Sequence, residues 1–247
     1  MNDLAARIET TLAPLGTPER AVSEKAYLKS ELVHLGVTVP VVRQAIKAIV
    51  HAEPGLDHDA LVIAIEAMWA RGIFELRSSA VELLVLRRDV LGAADMPLLE
   101  RLLRESKTWA LVDFLSTAVV GELVVAHPAL ARTLDRWAKD DDFWIRRAAM
   151  LSLLVPMRKG GGDFDRFARY ADAMLEEKEF FIRKAIGWIL REVSRKRPQL
   201  VVDWLAPRAH RTSGLTLREA TRHLTVKQQM QVLAKAKATP RPKRRRT

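Results

Sequence analysis

Three side chains in this sequence are candidates for chemistry: one carboxylate and two indoles. Trp109 and Asp113 are four residues apart, so on a helix they share one face. Trp188 lies further along the chain and meets them only if the helices between bring it back. A carboxylate flanked by aromatic faces suits a cationic ligand, because each indole adds about 0.5–2 kcal/mol of cation–π attraction. The structural alternative is that both tryptophans are core residues and that Asp113 pairs with a neighbouring helix.

Arginines recur along the chain at a regular spacing. The strings VTVPVVR, FELR, FWIR, FFIR and LTLR end at Arg43, Arg77, Arg146, Arg183 and Arg218. The intervals are 34, 69, 37 and 35 residues, and the long interval spans two periods. Its midpoint, WALVD, carries Asp113 within one residue of the position where the other segments carry arginine. Periods of this length are typical of helical hairpins stacked into a solenoid.

The regular cations have two interpretations. On the inner surface of a solenoid, the regular positions would form a row whose cations can follow a phosphate backbone without reading base sequence. The row is Arg43, Arg77, Asp113, Arg146 or Arg147, Arg183 or Lys184, and Arg218. Alternatively, each arginine pairs with an acid of the adjacent repeat and holds the stack together. The pair Arg146-Arg147 allows both, one residue for the stack and one for the groove. Tyr27 and Lys29 are further candidates for phosphate contact, with simple solvent exposure as their alternative.

The composition favours a polyanionic partner. The net charge is +11, and the segment 235–247 holds seven of these charges, which leaves +4 for residues 1–234. Such clustering favours nucleic acid over a membrane surface, with a solubilising tail as the alternative. The absence of cysteine excludes disulfides and suits a reducing cytoplasm. We expect neither a signal peptide nor a membrane span. The six histidines lack metal-ligand spacing, and we expect no metal and no cofactor.

Apolar residues at three- and four-residue spacing predict an all-α protein, with breakers between the helical runs. The four other tryptophans, at 69, 137, 144 and 204, are expected in the core. We predict a single repeat domain over 1–234, followed by a flexible basic tail. A short N-terminal helix is expected to precede six repeats, which cover 20–50, 55–91, 95–126, 129–158, 163–197 and 199–234.

The segments SKTWALVD (106–113), FWIRRAA (143–149) and FFIRKAIGWILRE (180–192) resemble the AlkD-type DNA alkylation-repair glycosylases. Weaker support comes from YLK (27–29) and LGVTVPVVR (35–43), and the resemblance covers residues 1–230. It implies a right-handed α-solenoid of about six HEAT-like repeats with a concave cationic groove. It also implies that Trp109, Asp113 and Trp188 frame the lesion, that Arg147 binds DNA, and that the base is not flipped into a deep pocket.

The implied activity is hydrolysis of the N-glycosidic bond of N3- or N7-alkylated purines in duplex DNA. The expected protein is a monomeric, monofunctional enzyme of the bacterial cytoplasm and nucleoid. Asp113 would stabilise the positive charge that moves onto the sugar as the bond breaks. The sequence departs from the family pattern at Ala110, where an aromatic residue is expected after the tryptophan, so the aromatic wall is predicted to be thinner. The alternative function is a non-catalytic repeat protein that binds distorted or branched DNA.

Overall fold

Helices joined by short loops make up residues 4–53 and 55–237, the part of the chain that the computed structural model describes. These residues form no strands, and one parallel bridge joins Val33 to Ile73. The prediction of an all-α protein is therefore confirmed for the described residues. Most of the basic tail, residues 238–247, lies outside them. The chain divides into two compact units, Met1–Ala131 and Arg132–Thr247. Their arrangement as one repeat domain stays a prediction.

The described residues of the first unit form eight α-helices. Among them, α3 contacts α5, and α5 contacts α7. This contact between the second helices of successive pairs is typical of stacked hairpins. The helices are α1 (Leu4–Leu12), α2 (Pro18–Leu28), α3 (Val39–Ala52), α4 (His58–Ala70), α5 (Phe74–Leu86), α6 (Met96–Ser106), α7 (Trp109–Leu115) and α8 (Gly121–Ala126).

The second unit repeats this pattern. Here α13 contacts both α10 and α15. The helices are α9 (Ala131–Trp137), α10 (Phe143–Leu151), α11 (Leu154–Arg158), α12 (Phe164–Met174), α13 (Phe180–Ser194), α14 (Pro198–Leu205), α15 (Gly214–Ala220) and α16 (Val226–Lys237). Short 3₁₀ turns occur in both units. They lie at Ala13–Leu15, Arg88–Val90, Ala93–Asp95 and Pro128–Leu130 in the first unit and at Ala206–Arg208 in the second.

Local sequence signals set many of these helix ends. The carboxylate of Asp142 accepts the N–H of Trp144 at 2.9 Å, so the acidic run before Phe143 caps α10 as expected. Thr38 precedes α3, which has proline in its first turn. The glycine run 160–162 separates α11 from α12, and Gly160 and Gly162 have positive φ angles of 96° and 70°.

The run Trp109–Ala126 is long and apolar enough to cross a membrane, with a mean hydropathy of 1.7. This differs from the expectation, based on the sequence, that no segment could span a membrane. In the structure the run is α7, a π-helical turn and α8, and it packs against α5 and α6. Leu111, Val112 and Leu115 are buried there, whereas Asp113 is half-buried. The buried residues, 44% of the run, form part of the core of the first unit.

Candidate functional site

Trp109 and Asp113 lie one turn apart on α7, as their spacing predicts. The preceding helix α6 ends at Ser106; the next residue, Lys107, has a left-handed φ of 48°, and Thr108 is extended. Trp109 is thus the first residue of the new helix. Leu111 and Val112 face the core. Trp109 and Asp113 are both half-buried, so α7 presents an indole and a carboxylate on its less buried side.

A π-helical turn, Ser116–Val120, follows α7 and begins three residues after Asp113. The Thr117 hydroxyl donates to the carbonyl of Asp113 at 2.7 Å, and the Ser116 hydroxyl donates to that of Val112 at 2.6 Å. Turns of this kind inside α-helices are frequent at functional sites. This π-helical turn was not predicted from the sequence. The adjacent hydroxyl residues 116 and 117 were the available signal, since such side chains bond back to helix carbonyls and distort the helix.

The end of α2 packs against the start of α7. The Tyr27 side chain is 71% exposed, yet its ring meets that of Trp109 edge-on at a centroid distance of 5.8 Å. The Thr108 hydroxyl donates to the carbonyl of Leu28 at 3.4 Å. Lys29 follows with a φ of 50° and an exposed side chain. The structure therefore brings together Tyr27 and Trp109, two of the residues that the sequence analysis selected.

Arg43 lies beside the same helix. Its guanidinium carbon is 5.2 Å from the centroid of the Phe114 ring, and Phe114 adjoins Asp113. Its Nε is 3.3 Å from Oε2 of Glu82 on α5. This is the pairing between adjacent repeats that the sequence analysis kept open. About half of the Arg43 side chain is exposed, whereas the Glu82 side chain is only 8% exposed.

In the second unit, Trp188 lies on α13, one turn after Lys184. Trp188 is half-buried, while Ile186 and Ile189 on either side are buried. Gly187 lets α15 approach closely, because a Cβ atom there would lie 2.7 Å from Cβ of Glu219. The Lys184 ammonium donates to Glu219 at 2.5 Å.

Glu219 also accepts a hydrogen bond from Arg191. Burial raises the pKa of the Glu219 carboxyl, but the hydrogen bond from Lys184 and the charges of Arg191 and Lys184 outweigh it. The pKa therefore lies below its ordinary value. Lys184, which the sequence analysis selected for phosphate contact, is in this structure held by a carboxylate of its own unit.

The two arginines of α10 both have partners within the second unit. Arg146 donates to the carbonyls of Asp140 at 2.6 Å and Asp141 at 2.9 Å, and to Glu177 at 2.8 Å. Arg147 is only 2% exposed, and it donates to the carbonyl of Phe181 and lies over that ring. This differs from the predicted division of one residue for the stack and one for the groove. Burial keeps Arg147 from a phosphate in this conformation.

Two other arginines of the regular row also bind main-chain carbonyls. Arg77 donates to those of Trp69 at 3.3 Å and Glu105 at 2.6 Å, and Arg183 donates to that of Glu177 at 2.5 Å. In each case the side chain ties the start of its helix to a nearby loop or helix end. Arg77 thus reaches the next predicted repeat through the carbonyl of Glu105, whereas Arg183 binds within its own, and these bonds are to carbonyls and not to the acid that the stacking interpretation expected.

The six tryptophans divide into two groups. Those at 69, 137, 144 and 204 are at most 8% exposed, which confirms the prediction that they belong to the core. Trp109 and Trp188 are not buried. They are the two that the sequence analysis assigned to the site.

Comparison with known proteins identifies the family of this chain. Residues 8–224 match a family model described as DNA alkylation repair enzyme. The chain belongs to this family. The match includes every candidate site residue of both units.

A solved structure from Enterococcus faecalis, described as a predicted DNA alkylation repair enzyme, shares the fold with a TM-score of 0.77. It is 24% identical to this chain, and the alignment covers 85% of this chain and 97% of the other. A second solved structure, from Streptococcus mutans UA159, is 18% identical over 95% and 96% of the two chains, with a TM-score of only 0.39. No curated protein matches the sequence.

Proposed function

We propose that this member of the alkylation-repair family is a DNA glycosylase that excises cationic N3- and N7-alkylated purines from duplex DNA. One observation carries the proposal. Of the six tryptophans, only Trp109 and Trp188 lie outside the buried core, and Trp109 shares its face of α7 with Asp113. Aromatic faces and a carboxylate both attract a positively charged base.

The reaction requires few protein groups. An alkylated purine carries a positive charge, and the electron pair of the glycosidic bond neutralises it as the base departs. The sugar then becomes cationic at C1′, where the Asp113 carboxylate would stabilise it. A water molecule adds its oxygen to C1′ and releases a proton to Asp113 or to solvent. The products are a neutral free base and an abasic site, and no acid has to protonate the leaving group.

The proposal also assigns positions to the binding residues. Trp109 and Trp188 would hold the deoxyribose and the lesion together, without flipping of the base. Arg43, Lys184, Arg146, Arg147, Tyr27 and Lys29 would contact the phosphates. To do so, Arg43 would exchange its partner Glu82 for a phosphate, and Lys184 would exchange its partner Glu219 for a phosphate. Arg147 would first have to leave its buried position.

The proposed architecture is a right-handed superhelix of about six HEAT-like repeats with its cationic groove on the concave side. The second-helix contacts within each unit support stacked repeats. The proposed place of action is the bacterial nucleoid, with the protein as a monomer. This agrees with the basic net charge and the lack of cysteine.

The test is release of free base from a duplex that contains N7-methylguanine or N3-methyladenine. The wild-type protein should release it, and Asp113→Asn should do so more slowly by about 10²-fold or more. Asp165→Asn, which changes an exposed acid on α12, is the matched control and should keep the wild-type rate. Both variants should bind the duplex.

Two outcomes would contradict the proposal. Equal release by wild type and Asp113→Asn would exclude Asp113 from the mechanism. Tight binding to damaged duplex with no release by the wild type would favour the alternative, a non-catalytic protein that binds distorted DNA.

A further inference from the structure

Glu24, His34 and Glu75 form a cluster inside the first unit that the proposed reaction does not use. They come from α2, from the segment between α2 and α3, and from α5. Each residue places a nitrogen or oxygen atom within 4.8 Å of such atoms of the other two. The cluster is enclosed, because the side chains of His34 and Glu24 are 1% and 13% exposed and Glu75 is 1% exposed. Imidazole nitrogens and carboxylate oxygens are ligands of zinc.

The imidazole of His34 is the strongest indication of a ligand. Neither Nδ1 nor Nε2 has a hydrogen-bond partner among the described residues, although both atoms are buried. Buried polar atoms are rarely left in this state. The ring is held in place by stacking on Phe74, with centroids 4.6 Å apart and planes at 10°. A fixed, enclosed imidazole with both nitrogens unsatisfied is arranged to coordinate something.

The distance between His34 and Glu24 suggests what that ligand is. Nδ1 of His34 lies 3.6 Å from Oε2 of Glu24, and this oxygen is also buried without a partner among the described residues. A separation of 3.6 Å is too long for a hydrogen bond. It is close to the separation of about 3.4 Å between two ligands of a tetrahedral zinc ion with bonds of about 2.1 Å.

Glu75 is fixed by the main chain that follows His34. Its Oε1 accepts the N–H groups of Gly36 at 2.7 Å and Val37 at 3.1 Å, and its Oε2 accepts that of Leu35 at 2.9 Å. A carboxylate oxygen has two lone pairs, so Oε2 keeps one for a further partner. The three N–H bonds set the carboxylate in place before any ion binds, which reduces the entropy lost on binding.

The charges in the cluster also favour a cation. Two carboxylates lie near each other in an enclosed space, and Arg20 offsets one of them by contacting Oε1 of Glu24 at 3.1 Å. One negative charge remains, which is costly away from water unless it is paired or bound to a metal. A divalent ion between Glu24, His34 and Glu75 would remove this cost.

We infer that Glu24, His34 and Glu75 bind a divalent transition-metal ion, with Zn²⁺ the best match to the donor set and water as the fourth ligand. The ion is structural, since the cluster is enclosed. It links α2 to α5 and fixes the helix that carries Tyr27, three residues after Glu24. This inference is independent of the glycosylase reaction, because none of the three residues takes part in that reaction.

Zinc binding to the full-length protein tests this inference. The protein is treated with EDTA, desalted, and titrated with zinc chloride in a calorimeter. We expect one tight site per chain and a rise in Tm of about 5–10 °C when zinc exceeds its Kd by about 100-fold. His34→Gln and Glu24→Gln should each weaken binding by at least about 100-fold.

His127→Gln, which changes an exposed histidine of the same unit, is the control and should bind zinc as the wild type does. If His34→Gln fails to fold, Glu24→Gln still tests the site, because Glu24 lies on the more exposed helix α2. Absence of tight zinc binding, or equal binding by wild type and both cluster variants, would overturn the inference.

Discussion

The ring of Tyr27 stands edge-on to that of Trp109, with the ring planes at 85°. The last turn of α2 therefore supports the indole that begins α7. Such aromatic pairs contribute about 0.5–1.5 kcal/mol beyond the area they bury. The contact links the amino-terminal part of the first unit to the candidate catalytic helix, although the two residues are 82 positions apart.

This contact predicts the effect of changes at Tyr27. Tyr27→Ala should lower kcat/KM for excision by about 2- to 10-fold, because it removes the pair energy that orients Trp109. Tyr27→Phe keeps the ring and removes only the hydroxyl that is proposed to contact a phosphate, so its loss should be smaller than that of Tyr27→Ala. Single-turnover release of N7-methylguanine measures both. A loss of equal size in the two variants would mean that the hydroxyl, and not the ring contact, is the important group.

The cationic residues predict a strong dependence of binding on salt. We expect the logarithm of the association constant for duplex DNA to fall against the logarithm of salt concentration with a slope of about −4 to −6, from about five phosphate contacts. Fluorescence anisotropy with an undamaged duplex measures this slope. A flat dependence would favour a protein-interaction scaffold over any DNA-binding function.

The buried position of Arg147 makes a prediction that separates its two possible roles. Arg147→Ala leaves the carbonyl of Phe181 without this donor, so the free energy of unfolding should fall by about 1–3 kcal/mol. Arg132→Ala, at an exposed arginine of the same unit, should have little effect on stability. Urea unfolding measures both. A phosphate contact by Arg147 would in addition make the salt slope of Arg147→Ala smaller in magnitude by about one, whereas an unchanged slope would contradict that contact.

The cluster around Glu219 predicts a dependence of stability on pH. The pKa of its carboxyl is lower in the folded protein than the ordinary value of 4.5. Its stabilising contribution is therefore complete above pH 4.5 and is lost as the pH falls through the folded-state pKa. Glu219→Gln should be less stable than wild type at neutral pH, and the difference should shrink on acidification below pH 4.5. Urea unfolding across this pH range is the measurement.

Asp165→Asn serves as the control for that experiment, since it changes an exposed acid of the same unit. Its stability should follow that of the wild type at each pH. A difference between Glu219→Gln and wild type that stays constant during acidification would mean that the ion pairs with Lys184 and Arg191 contribute nothing to stability.

Sequence periodicity was enough to predict the helices and many of their ends. Helix formation depends on contacts three and four residues apart, and caps and breakers act within a few positions. The Asp142 cap and the glycine loop at 160–162 are local features of this kind. The shared face of Trp109 and Asp113 follows from the same short-range geometry.

Only the tertiary structure decided which partner each side chain has. The arginine spacing marked the start of each second helix, but packing determined that Arg77, Arg146 and Arg183 bind main-chain carbonyls and that Arg147 is buried. The cluster of Glu24, His34 and Glu75 is likewise invisible in the chain, because its residues are 10 and 41 positions apart and follow no motif. Local interactions encode the helices, whereas contacts between distant segments bring the side chains together.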